Sequence, residues 1–245
     1  MKNSFLYFLV FSLLFAFSAC QSGATEQAEE STGDQAEAAA KIPGEATELL
    51  GNEFVQVKKI VLQPGQKQDM HEGPARTIYS LTDYQINWVE NDQDEGEKRW
   101  KQGDVHWHMA GTHAAENTGS TTAEFLVVAR TDAELPECGD NSLDQDVQSV
   151  APEKANVLFE NEYVKVTRVD LEAGESIPRH AGINRVILSL SDYTITYTAE
   201  GEAEETNTFS TEDVHWHDAC AHALSNSGSS TASFAVFAFK EGIAE

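Results

Sequence analysis

The pentapeptide Asp104-Val105-His106-Trp107-His108 recurs unchanged as Asp213-Val214-His215-Trp216-His217. The offset of 109 between the copies also pairs residues far outside the pentapeptide. Asn52 meets Asn161, Gly65 meets Gly174, His71 meets His180 and Arg76 meets Arg185. Asp83-Tyr84 meets Asp192-Tyr193, His113 meets His222, Asn117 meets Asn226 and Phe125 meets Phe234. No gap interrupts this register between Asn52 and Phe239, and roughly two paired positions in five are identical, so the chain carries two copies of a module of about 80 residues. All 8 histidines fall at matched positions, which a random scatter of surface or core histidines does not explain.

Within each module the apolar pattern is that of strands. Phe54–Leu62 and Tyr163–Leu171 alternate, while RTIYSL, RVILSL, YQINWV, YTITYT, EFLVVA and SFAVFAF are short β-branched or aromatic runs. Turn residues separate them at Pro64-Gly65, Ala173-Gly174, NDQDEG, AEGE, NTGS and NSGS. No long amphipathic helix appears, so each module is expected to be a sandwich or closed barrel of seven or eight antiparallel strands.

The termini and composition define the setting. Met1-Lys2-Asn3 precedes the apolar run SFLYFLVFSLLFAFSA and Cys20, the pattern of a secretory signal. FSAC resembles a bacterial lipobox, with Phe where Leu is commoner, and the resemblance implies lipidation of Cys20 after cleavage. Gln21–Leu50 is rich in Ala, Glu, Gln, Ser, Thr and Gly, too polar to offset its ordering entropy, and reads as a disordered tether. The expected organisation is therefore a signal peptide at 1–19, a tether at 20–50, a first module at 51–130, a linker at 131–152 and a second module at 153–241. The expected location is the bacterial cell envelope, with the protein membrane-anchored on the periplasmic side or the cell surface. The net charge of −25 excludes a nucleic-acid partner, because phosphate binding needs a basic footprint. Export leaves Cys138 and Cys220 either paired or as two free thiols.

At this point the residues carry a resemblance to a family. Pro64-Gly65 with His71 and Arg76, followed by Gly103-Asp-Val, Trp107, Gly111, His113, Asn117 and Gly119, resemble the two signature motifs of the cupin superfamily. The duplicated chain resembles a bicupin, so the expected fold is all-β, two tandem double-stranded β-helix (jelly-roll) barrels. Cupins that hold a metal usually take two histidines and a glutamate from the first motif and a histidine from the second. Here the first motif keeps only His71 and His180; Gly73 and Gly182 stand at the second histidine position, and Ile78 and Ile187 fall near the glutamate position.

The pentapeptide offers replacements. On a strand, residues i and i+2 share a face, so His106 pairs with His108 and His215 with His217. Candidate metal ligands are therefore His71, His108 and His113 in the first barrel, and His180, His217 and His222 in the second. His106 and His215 are alternates. Such nitrogen-rich sets suit a divalent transition metal: Zn, Fe, Ni, Cu or Mn. In the opposite facing, Val105 and Trp107 line the cavity and the histidines point away.

Arg76 and Arg185 have two readings. One is binding of an anionic small-molecule substrate; the other is structural pairing with Asp83 and Asp192, or with Asp104 and Asp213. Trp107 and Trp216 read as core packing, and Asn117 and Asn226 as turns. No GxSxG, GxGxxG, HExxH or CxxC motif occurs. The function classes left are a cell-envelope lipoprotein binding a metal or small molecule in each barrel, a metal-dependent oxygenase or isomerase, and a structural lipoprotein with vestigial sites.

Overall fold

A computed structural model of the chain describes residues 44–138, 145–199 and 203–242. The signal peptide, Cys20 and most of the expected tether lie outside the described residues.

The first module contributes β1 (Glu45–Gly51), β2 (Val55–Leu62), β3 (Lys67–Gly73), β4 (Arg76–Ser80), β5 (Tyr84–Glu90), β6 (Gln93–Trp100), β7 (Val105–His108), β8 (Gly111–Asn117) and β9 (Ala123–Arg130). The second contributes β10 (Ala155–Glu160), β11 (Val164–Leu171), β12 (Ser176–His180), β13 (Arg185–Ser189), β14 (Tyr193–Ala199), β15 (Glu205–Phe209), β16 (Val214–His217), β17 (His222–Asn226) and β18 (Ala232–Phe239), preceded by the short helix α1 (Val147–Val150). Each module is thus a five-stranded sheet (β1-β2-β9-β4-β7 or β10-β11-β18-β13-β16) facing a four-stranded one (β3-β8-β5-β6 or β12-β17-β14-β15). All pairings are antiparallel. The two modules have the same strand order and, at β7 and β16, the same residue-for-residue register. The fold is a tandem pair of cupin barrels.

Nine strands per barrel exceed the seven or eight read from the apolar pattern. The extra ones are polar edge strands: β1 has the burial of an exposed strand, β6 is QDEGEKRW and β15 is ETNTF, none of which alternates. β1 also corrects the tether boundary, because Glu45–Leu50 belongs to the first barrel. The 109-residue register extends to it: Ala46 matches Ala155 and Leu49 matches Leu158, and both strands carry a bulge at the same place.

The five-stranded sheets are buried on both faces, which explains why RTIYS and RVILS are buried at every residue. One face lines the barrel interior. The other packs against the second barrel, and Val55, Val57, Tyr79, Leu126 and Val128 meet Val164, Val166, Val186, Leu188 and Phe237 in one core. The contact is reciprocal in the manner of a twofold interface: Phe54 stacks on Trp216 at 5.4 Å, and its repeat partner Tyr163 stacks on Trp107 at 5.4 Å.

The turn residues behave as their chemistry requires. Gly65 and Gly174 hold φ of 79° and 81°, a conformation that costs an L residue about 1 kcal/mol or more. Fully buried Asn117 donates to the carbonyls of Leu62 and Thr121 and accepts from the Gly119 amide, and Asn226 repeats all three bonds in the second barrel.

Candidate functional site

The facing left open by the pentapeptide is settled by β7 and β16. Val105, Trp107, Val214 and Trp216 pack into the inter-barrel core, so the opposite facing, with these residues lining the cavity, is corrected. His215 and His217 line the cavity of the second barrel. His106 stacks on Trp100 at 3.7 Å, with His108 edge-on to it at 4.9 Å.

The motif histidines meet in pairs. β3 lies beside β8, so His71 and His113 are register partners with rings 4.1 Å apart. β12 lies beside β17, and the rings of His180 and His222 are 4.3 Å apart. Gly73 and Gly182 have a direct role here. A Cβ at Gly73 would lie 2.5 Å from His113 Cε1, and one at Gly182 would lie 2.7 Å from His222 Cε1 and 2.6 Å from Arg185 Nη1. The second-motif ring occupies the room a first-motif side chain would need, which is why glycine stands at the resemblance's second histidine position.

The two arginines are buried beside these histidine pairs, with exposures of 3% (Arg76) and 5% (Arg185). Neither structural partner expected from the sequence is theirs. Asp83 accepts from the Gln102 amide, Asp104 from the Lys101 amide, Asp192 from the Thr211 amide and Asp213 from the Ser210 amide. Arg76 instead has Glu90, whose Oε1 is 3.7 Å from its Nη2 and also takes a short contact from His108 Nδ1. Arg185 donates through Nη1 to the carbonyls of Ile183 and Asp218 at 3.1 Å each. Its Nη2 lies 3.5 and 3.4 Å from the two ring nitrogens of His222. No carboxylate among the described residues forms an ion pair with it.

The difference is written in the repeat. The partner of Glu90 under the 109-residue register is Ala199, and each sits across the sheet from its second-motif histidine, Glu90 from His113 and Ala199 from His222. Trp88 and Trp100 are matched by the smaller Tyr197 and Phe209. In the second barrel a cavity of about 100 Å³ therefore runs from Arg185, His180 and His222 inward to Tyr197, Phe209 and His215. In the first barrel the cavity beside Arg76, His71 and His113 does not reach the equivalent inner positions.

Electrostatically the interiors keep their imidazoles neutral. Burial lowers His222 to about 2 and His217 to about 3, and the Arg185 charge adds to both shifts. Burial also lowers His215 to about 4, His106 to about 2 and His113 to about 4. His180 is lowered by burial too. Desolvation drives Arg76 down to about 10 against the opposing pull of Glu90, and lowers Arg185, opposed by Tyr197 and Asp218.

A divalent metal fits only part of this arrangement. Backbone carbonyls of Pro178 and Cys220 lie 2.9 and 3.0 Å from Nδ1 of His180 and His222. Nδ1–H donation there leaves each Nε2 as an acceptor, as ligand histidines are commonly set. The third ligand is lacking. Among the described residues no group of three or more His, Cys, Asp or Glu side chains converges to hold a metal ion. His108 is held by Glu90 instead of joining His71 and His113, and the guanidinium against His222 repels a cation. The residues therefore do not make a resident metal's ligand set.

Cys138 and Cys220 form a disulfide with Cα atoms 5.3 Å apart. It fastens the linker beside the second cavity, where Asn184 also binds the Pro136 carbonyl and the Ala219 amide. Asp146 and Val147, at the far end of the linker, line that cavity, and Asp146 pairs with Lys165 at 2.5 Å. The expected linker is thus part of the second site. Sequence reasoning missed it, as it missed Glu90, Tyr197 and Trp100; the mismatch of Glu90 with Ala199 was the available signal.

The comparisons with known proteins agree with this architecture. No family model and no curated protein matches the chain. Among solved structures, an oxalate decarboxylase superposes with a TM-score of 0.60 at 15% identity, covering 83% of this chain and 75% of that one. AerE from Microcystis aeruginosa gives a TM-score of 0.58 at 15% identity, covering 80% of this chain and 97% of that one. An oxalate decarboxylase from Bacillus subtilis, described with Mn(II) centres, gives 0.57 at 14% identity over 83% and 75%. At these identities the likeness establishes the cupin fold.

Proposed function

We propose that this chain is a cell-envelope binding protein, held to the membrane by lipid at Cys20, whose second barrel takes a small organic molecule. The observation that carries this reading is the second cavity: preformed, mostly apolar, and provided with a few convergent polar groups, as ligand sites are. The alternative reading, a metal-dependent oxygenase or isomerase, needs a third metal ligand beyond the His180–His222 pair, and the donor sets favour binding. A thermal-shift screen of small neutral and charged organic molecules against the full-length protein tests the proposal. A ligand of the native state raises the unfolding midpoint; a screen without any such rise would sink it. For the anchor, Cys20→Ala is expected to move the protein from the membrane fraction to the soluble fraction, and unchanged membrane retention counts against lipidation.

A further inference from the structure

We infer that the ligand of the second barrel is a small carboxylate, whose carboxylate group takes on Arg185 the place that Glu90 takes on Arg76 in the first barrel. This rests on the reading of the second cavity as a binding site and adds the chemical class of its occupant.

The two barrels are an internal control. They share fold, register, arginine, first-motif histidine and second-motif histidine pair, and they differ at the position that decides the charge balance. In the first, Glu90 on β5 reaches the guanidinium of Arg76 and the ring of His108 on the opposite sheet. In the second, Ala199 ends at Cβ, and buried Arg185 has no carboxylate partner, its side-chain contacts being the His222 ring at 3.4 and 3.5 Å from Nη2 and a hydrogen bond to Tyr197. A buried cation left without an anion is costly, and a guanidinium fork matches a carboxylate better than any neutral group. His217, the counterpart of His108, lines the same cavity and is the second donor for a carboxylate oxygen. Beyond the arginine the walls are Ile187, Ile195, Leu224 and Phe209, which suit a short hydrocarbon tail. A cavity of about 100 Å³ is smaller than the roughly 150 Å³ that holds a benzene, so the occupant has on the order of four to six non-hydrogen atoms. In the first barrel a cavity of about 200 Å³ also lies beside Arg76, His71 and His113, but there Glu90 already stands against the guanidinium, so one carboxylate per chain is expected.

The test is calorimetric titration of full-length protein in detergent with acetate, propionate and butyrate, each beside its primary amide. Carboxylates should bind at one per chain and at least about tenfold more tightly than the matching amides. Ala199→Glu should abolish carboxylate binding while leaving the unfolding midpoint at or above that of the parent, because the first barrel already accommodates this arrangement. Arg185→Gln should erase the preference for acid over amide. Equal binding of acids and amides, or undiminished carboxylate binding by Ala199→Glu, overturns the inference. If neutral molecules bind and carboxylates do not, the inference falls and the binding function stands. If neither binds, both fall.

Discussion

Glycine and histidine set the character of each site. Gly182 has no room for a methyl group between the His222 ring and Arg185, whereas Gly174 has nothing within 4 Å of its missing Cβ and is held only by its φ of 81°. Gly174→Ala should therefore cost about 1 kcal/mol of stability with ligand binding intact. Gly182→Ala should weaken binding severalfold by displacing Arg185 or His222, measured by titration beside thermal unfolding. The neutral histidines predict the pH response. His106, His113, His215, His217 and His222 have folded pKa values of about 2 to 4, against about 6.5 in the unfolded chain. Between those values the unfolded state binds more protons, so stability is full above about pH 6.5 and falls as pH drops, by up to about 1.4 kcal/mol per pH unit per histidine. Urea midpoints recorded from pH 7 to 4 should fall steeply, and His215→Phe should reduce the slope by about one proton; a flat profile would contradict the buried neutral rings.

At the level of elements, the turn after β17 and the linker strap both lend themselves to measurement. Asn226 satisfies one buried and one part-buried carbonyl and one amide across four residues of chain and from β11 to the turn, so Asn226→Ala should lose about 2 to 4 kcal/mol, more than a surface asparagine. The Cys138–Cys220 bond closes a span of 82 residues. Cys138→Ser is expected to lower stability by about 2 to 4 kcal/mol and to loosen the linker beside the second cavity, seen as faster amide exchange in residues 145–150 with exchange in the first barrel unchanged. Of these elements, β2 and β11 were legible because their apolar residues alternate, and β9 and β18 because continuous β-branched and aromatic runs mark a buried strand. β1, β6 and β15 were not, because an exposed edge strand is held by backbone hydrogen bonds that leave no mark on side-chain polarity. α1 is four residues long and buries no residue fully, so it too carried no periodic signal.

On the scale of the whole molecule, two barrels share a core larger than either would have alone. Phe237 is fully buried in that core, edge-on to Tyr79 of the other barrel at 6.0 Å. Phe237→Ala should cost about 3 to 5 kcal/mol, and the loss should appear in both barrels as one transition shifted down. Two separated transitions by calorimetry would show the barrels to be energetically independent. For the same reason an isolated 44–130 segment, with Val55, Val57, Leu126 and Val128 uncovered, should unfold at a lower temperature than the intact pair.

The sequence by itself determined the duplication, the all-β class, the cupin fold and the inventory of histidines and arginines, because a gapless repeat and period-two patterns are properties of residue order. The candidate site was half legible. His71 with His113 and His180 with His222 meet as the motifs implied, and both arginines are buried beside them. The partners of those arginines were decided only in three dimensions. Glu90 and Arg76 come from strands on opposite sheets, and nothing in the local sequence around either distinguishes this carboxylate from the Asp83 or Asp104 side chains that cap nearby turns. Tertiary structure likewise decided that Trp88 and Trp100 fill the inner part of one barrel while the other keeps a cavity reaching Tyr197 and Phe209 beside an Arg185 without a carboxylate partner. A void is the space left after every neighbouring side chain has been placed, so it becomes visible only once the barrel has closed.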